Sequence, residues 1–272
     1  MKRKTAVSGQ FYPADEEQLR SMIGELSPKS GGTEEVLGVL SPHAGYVFSG
    51  ATAATVFSNI KIPKTIVLLT PSHHYASPPV ALWTGGAWET PLGEVQIHES
   101  LCDELEKLPG ITPDDTPHIP EHSGEVILPF LQYHRPDIQL VAICVTQSAT
   151  DTDVLRLGDN IYAALQDSGE TDALVVASSD MSHEQGPNAL ERVRKQDPLA
   201  IGAMEKLDPQ LLLNTCRKRS ITMCGVLPAA AMMQSVKRRS GTRGVLIKQA
   251  TSADSPYGHG DYVVGYAGMI FK

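Results

Sequence analysis

Cysteine is scarce in this chain: Cys102, Cys144, Cys216 and Cys224 are all that 272 residues contain, and no two form a CxxC pair. That excludes a disulfide-stapled scaffold and leaves reduced thiols as the expectation. Long apolar runs are also missing, since nothing approaches the ~20 residues that cross a bilayer. The basic start, MKRKTAVSGQFYP, leads into no apolar stretch of the secretory kind. A soluble, cytoplasmic protein with no membrane role is therefore expected. Positive charge is in short supply, with 23 Lys and Arg against 31 Asp and Glu and a net charge of −8. Sequence-independent binding of nucleic acid rests on cations neutralising phosphates, so no nucleic-acid partner is expected. The one basic cluster, Lys237, Arg238, Arg239 and Arg243, follows LPAAAMMQSV. It reads as the cationic end of a helix. Internal repeats and low-complexity segments are lacking as well.

Apolar residues make up 41% and charged residues 20%, a globular balance. Segments 36–40, 65–70, 138–145, 173–178, 244–250 and 262–271 are rich in Val, Ile and Leu and read as buried strands. Helical spacing occupies 16–26, 50–60, 125–134, 153–167, 188–206, 209–219 and 225–239, with Pro198 expected to break or kink the fifth. The excursion 83–97 reads as a local hairpin and the proline-rich 109–124 as a polar loop. Alternation of this kind predicts an α/β fold: one domain over 1–272, its mainly parallel or mixed central sheet covered by helices.

Histidines recur just past those strands. His43 follows VLGVLSP, His73 and His74 follow TIVLLTPS, and Asp180 and His183 follow ALVVASS. Carboxyl ends of strands in open α/β sheets converge on the ligand crevice, so the pattern points to a metal or acid/base site. Adjacent residues point apart, and His73, nearer its strand, is the candidate of the pair. A carboxylate such as Asp180 near His183 would set its tautomer and basicity. Cys224 precedes Gly225 and a predicted helix, where backbone N–H groups favour a thiolate. His122 in EHSGE is a weaker candidate, while His98, His118, His134 and His259 read as surface, loop or helix-end residues. The other three cysteines read as packing residues. Each candidate has an ordinary alternative: turn histidine, helix-capping Asp180 or buried thiol.

The motifs SGQFYP, SPHAGYVFSG, TPSHH, TPLGEV, EHSGEVILPF, SSDMSH and ITMCG, in that order, resemble the Memo-like family, including bacterial members called AmmeMemoRadiSam system protein B. The family resembles class III extradiol dioxygenases, implying a single α/β domain and a relation to enzymes that use non-haem Fe(II). The resemblance implies His43, His73 and Cys224 as metal ligands and Asp180 and His183 as further residues lining that site; in an enzyme, His183 oriented by Asp180 would move protons, with His122 as a second proton-transfer residue. Ring-cleaving relatives use two histidines and a carboxylate, whereas a thiolate here brings Cu or Zn into consideration beside Fe(II). Fold alone does not transfer dioxygenase activity.

Three functions follow. The first is a metal-dependent redox enzyme acting on a small molecule with adjacent hydroxyls. The second is a non-catalytic metal-binding or interaction factor for a protein or peptide, which the family name associates with AMMECR-like and radical SAM proteins. The third is a hydrolase with Cys224 as nucleophile, His183 as base and Asp180 as orienting acid.

Overall fold

The computed structural model describes residues 1–28 and 32–272. Its first half runs β1 (Lys2–Arg3), α1 (Glu16–Leu26), β2 (Gly38–Ser41), α2 (Ala51–Ser58), β3 (Thr65–Pro71), β4 (Val80–Leu82), β5 (Ala87–Thr90), β6 (Gly93–Ile97), α3 (Glu99–Glu106), β7 (Thr112–Pro113) and α4 (Leu128–His134). Its second half runs β8 (Gln139–Val145), α5 (Asp151–Asp167), β9 (Ala173–Ser178), β10 (His183–Gln185), α6 (Ala189–Glu205), α7 (Pro209–Arg219), α8 (Val226–Arg238), β11 (Gly244–Thr251) and β12 (Tyr262–Phe271). The result is a single α/β domain with a mixed sheet.

Strands β6, β8, β3, β9 and β2 lie side by side and parallel, and β12 joins the β2 edge antiparallel. Every residue of β2, β3 and β9 is buried. Helices on both faces account for this, and for the unbroken apolar runs TIVLL and ALVVA. Helices α5, α7 and α8 pack together over one face, and α1, α2 and α4 over the other. Asp and Thr side chains set helix starts: Asp15 caps α1 by accepting from the Gln18 N–H, and Thr150 with Asp153 forms a capping box on α5.

Some expectations need adjustment. Helix α6 runs through Pro198 without a break. The 125–134 helix begins only at Leu128, since residues 123–127 form a turn just after His122. The hairpin in 83–97 is present as β5 and β6. At the basic cluster, Lys237 and Arg238 occupy the last turn of α8, and Arg239 donates to the carbonyls of Leu37 and Thr171. No helix among the described residues is long and apolar enough to cross a membrane.

Topology fixes the place of the site. From β2 the chain leaves onto the face of α2, and from the neighbouring β9 it leaves toward α6, α7 and α8. Adjacent parallel strands whose connections depart to opposite faces open a crevice at their carboxyl ends. His43 follows β2 into that crevice, and Asp180 follows β9.

Candidate metal centre

The backbone N–H of His43 donates to Asp180 Oδ1 at 2.8 Å, tying the two strand ends together. His73 enters from the end of β3, and His122 from the segment preceding α4. Potential ligand atoms of His43, His73 and His122 all lie within 4.8 Å of one another. His122 thus stands inside the cluster rather than beside it.

Hydrogen bonding decides which ring nitrogens face inward. The Ser178 hydroxyl has one proton, and it is donated to the Ser123 carbonyl at 2.8 Å. His43 Nδ1, 2.7 Å from the same hydroxyl oxygen, must therefore be the N–H donor. That leaves a lone pair on Nε2. Burial, reinforced by nearby His73, pushes the His43 imidazole down to about 3 and keeps it neutral.

His73 repeats the arrangement with a different acceptor. Its Nδ1 lies 2.8 Å from Glu121 Oε1, and its backbone N–H donates to Oε2 at 2.7 Å. Burial opposes ionisation of both groups, but the mutual hydrogen bonding wins: Glu121 is held well below the usual carboxylate range and His73 is raised. Metal-ligating histidines commonly hand their second nitrogen to a carboxylate or another fixed acceptor. His122 differs, because its Nδ1 is 3.6 Å from Glu121 Oε1, too far for a hydrogen bond. Burial lowers it to about 4.

Cys224 Sγ lies 3.4 Å from His43 Nε2 and accepts the Asp180 backbone N–H at 3.3 Å. Gly225 permits this closeness: a Cβ there would sit 2.2 Å from the Ser178 carbonyl oxygen. The expected thiolate is not what this environment favours. Burial, and then the neighbouring Asp180, push the Cys224 thiol up, so without a metal it is protonated.

Asp180 does not hold His183 by a hydrogen bond. His183 Nδ1 is 3.0 Å from the Met181 carbonyl and 3.1 Å from that of Thr222. Carbonyls only accept, so Nδ1 carries the proton and Nε2 is free to take another. Burial raises the Asp180 carboxyl against hydrogen bonds from the His43 and Ala44 backbones. The nucleophile–base–acid series Cys224, His183, Asp180 thus lacks its central link, because the imidazole beside the thiol belongs to His43.

Above the histidines lies a cavity of ≈ 510 Å³, walled largely by aromatic side chains, with His183 and Asp180 on its lining. Its size suits a small organic molecule. Of the remaining histidines, His74 is exposed. His118 is a core residue rather than a surface one: it is 1% exposed, bonds the Ala81 carbonyl through Nε2, and packs edge-on to Trp83 and Trp88. His98 is buried at the start of α3 and accepts the Leu101 N–H. His259 lines the cavity. Cys102, Cys144 and Cys216 are buried. Sequence reasoning missed Ser178, Ser123 and Glu121 as orienting groups, although all three lie within motifs already singled out.

A mixed-sheet α/β domain that gathers histidines at its strand ends is the class defined by this fold and site. The chain belongs to the Memo-like protein family, whose sequence model matches residues 3–270. A MEMO1 family protein of Aquifex aeolicus is 40% identical over 276 residues, covering 99% of this chain and 98% of that protein. One from Methanopyrus kandleri is 37% identical over 289 residues, covering 100% and 99%. Among solved structures, an uncharacterized protein of Escherichia coli K12 superposes with a TM-score of 0.53 at 12% identity, covering 86% of this chain and 99% of that one. That likeness concerns the fold.

Proposed function

We propose that this Memo-like protein binds a divalent or redox metal at the histidine cluster, Fe(II) before Cu or Zn, and acts there on a small molecule held in the cavity. One observation carries the reading: ligand atoms of His43, His73 and His122 gather within 4.8 Å of one another, and His43 and His73 each commit Nδ1 to a fixed acceptor. His43 is a neutral imidazole with a freed lone pair, and a metal would displace the second proton of His73 while Glu121 anchors its Nδ1, which together suit a transition metal's donor set.

His43 and His73 would hold the metal, with Cys224 or His122 as third donor. When bound, the metal would supply a redox-active or Lewis-acidic centre at the cavity floor. The protein's own groups do the rest. Aromatic walls keep water from the bound molecule. His183, its proton fixed on Nδ1, offers Nε2 as a proton acceptor at the cavity edge. Asp180 sets the position of His43 through the backbone rather than moving protons for His183. The extradiol-type resemblance of the motifs supports an oxidoreductase.

Anaerobic metal analysis of the wild type beside His43→Ala, His73→Ala, Cys224→Ser and His122→Ala tests the site. Stoichiometric uptake is expected to fall in the first two variants and in whichever of the others removes the third donor. Full metal content in all four would overturn the proposal. Oxygen-dependent turnover of a bound small molecule would establish the enzyme. Metal uptake with no turnover, joined to binding of AMMECR-like or radical SAM proteins, would instead favour the interaction factor.

A further inference from the structure

His73 stands on a border. Its strand β3 lies between β9 and β8 in the sheet, and the ≈ 510 Å³ cavity extends from His73 to the β9 side, over the chain that follows β9 and β2. On the β8 side lies a second pocket of ≈ 90 Å³, between the ends of β3 and β8 and the first turn of α8. His73 lines both pockets, His43 and His122 only the large one, and Cys224 only the small one. The small pocket has firm walls. Pro71 and Pro228 bound it with rings locked to the backbone, and the Thr146 hydroxyl is held 2.8 Å from the Ala76 carbonyl and 2.9 Å from that of Pro78. Gln147 lines the pocket and is exposed, so the pocket reaches solvent. A cavity of about 150 Å³ accommodates benzene, so this one is too small for an aromatic ring. Val145, Leu227 and the two prolines give it apolar surface, against which an ion would shed hydration and an uncharged diatomic molecule would lose little.

We infer that the metal centre has two entrances, and that the small pocket is the route and holding site for an uncharged molecule of two or three heavy atoms, the size of dioxygen, which reaches the cluster beside His73 and Cys224 while an organic molecule fills the large cavity. This rests on the metal reading above. Because the two pockets lie on opposite sides of the β3 end, a molecule in one does not bar the way through the other. Size is the selecting property: the large cavity takes either molecule, and the small pocket takes only the lesser one.

Methylmercury chloride and phenylmercury chloride test the inference on metal-free protein. Both are uncharged and take a thiol by the same exchange, in which the sulfur–mercury bond forms, chloride leaves and the thiol proton passes to buffer, but only the first lacks a ring. Labelling of Cys224, located by mass spectrometry and scaled to each reagent's rate with free cysteine, is expected to be about ten-fold or more faster for methylmercury. Gln147→Trp, a change at an exposed position, is expected to slow methylmercury about ten-fold. Leu227→Ala is expected to admit phenylmercury, and Phe48→Trp, on the wall of the large cavity, to change neither rate. On Fe(II)-loaded protein, nitric oxide association followed by stopped flow is expected to slow by a similar factor in Gln147→Trp and not in Phe48→Trp. Phenylmercury keeping pace with methylmercury, Cys224 labelled no faster than the buried Cys102, Cys144 and Cys216, or a methylmercury rate that Gln147→Trp leaves unchanged would overturn the inference. Absent metal uptake with the mercurial ranking intact would instead overturn the metal reading and leave a second entrance to Cys224.

Discussion

The segment from His118 to Glu125 serves two neighbouring regions that treat polar groups in opposite ways. On one side Arg3, buried to 2% exposure, donates to the carbonyls of His118, Lys4 and Glu121, pairs with Glu125 at 2.8 Å, and stacks 4.3 Å from the centre of Trp88. Glu125 in turn accepts from the Ala6 and Val7 backbones and the Tyr12 hydroxyl. Every charged group there is satisfied. On the other side ligand atoms of His43, His73 and His122 gather within 4.8 Å of one another, with only the weakly bonding Cys224 sulfur set 3.4 Å from His43 Nε2. Saturation builds a rigid anchor, and the incompleteness next to it costs stability but leaves capacity for a ligand. The same few residues transmit the first to the second, since Arg3 grips the carbonyl of Glu121 while its carboxylate holds His73.

The contrast breaks most visibly at the anchor. Arg3→Ala strands a buried carboxylate and is expected to cost about 3–5 kcal/mol in urea unfolding. A loss under ~1 kcal/mol would mean that the saturated side is not the stabilising one. Next comes the wall behind the site: Gly225→Ala drives a Cβ against the Ser178 carbonyl and is expected to cost about 3 kcal/mol. Cys224 should move with it, which faster alkylation of that thiol would reveal.

Asp197 sharpens the comparison through pH. Among the described residues its Oδ2 has no partner, and burial pushes its carboxyl from 3.8 up to about 6. Between those values the folded chain holds a proton that the unfolded chain has released. This group's stabilising contribution is therefore complete below about pH 4, lost as pH rises to 6, and flat above. Asp197→Asn is expected to remove that decline, on the order of 3 kcal/mol. An unchanged stability–pH profile would show that the carboxyl titrates normally. Smallest of all is His122→Ala, which makes no strong hydrogen bond and is expected to shift stability by less than about 1 kcal/mol. A larger loss would make it a packing residue first.

Much of the architecture was legible in the sequence. TIVLL and ALVVA read as buried strands, and EEQLRSMIGEL carried its periodicity, so α1 spans the expected 16–26. Strand-end placement also singled out His43, His73 and Asp180. The loop 109–124 was harder to read, because PGITPDDTPHIPEHSG is polar and proline-rich and resembles a solvated connection. Its buried members, His118, Glu121 and Ser123, are compensated by partners far away in sequence, Arg3, His73 and Ser178 among them. Local pattern cannot display such partners. The protonation of Cys224 was hidden for a related reason: its helix start suggested a thiolate, but burial and then Asp180 decide its metal-free state.

The single proton of Ser178 gives the site a direction. Pointed at the Ser123 carbonyl, it obliges the His43 ring to donate from Nδ1 and to face the cluster as a base. Were the Ser123 carbonyl to withdraw, the hydroxyl would turn toward Nδ1, the ring proton would pass to Nε2, and the inward face of His43 would become a donor with nothing to offer a metal. The polarity of one buried hydroxyl therefore couples the position of the 121–125 segment to the ligand character of a residue on a different strand, a coupling that nitrogen-15 shifts of the His43 ring would register directly.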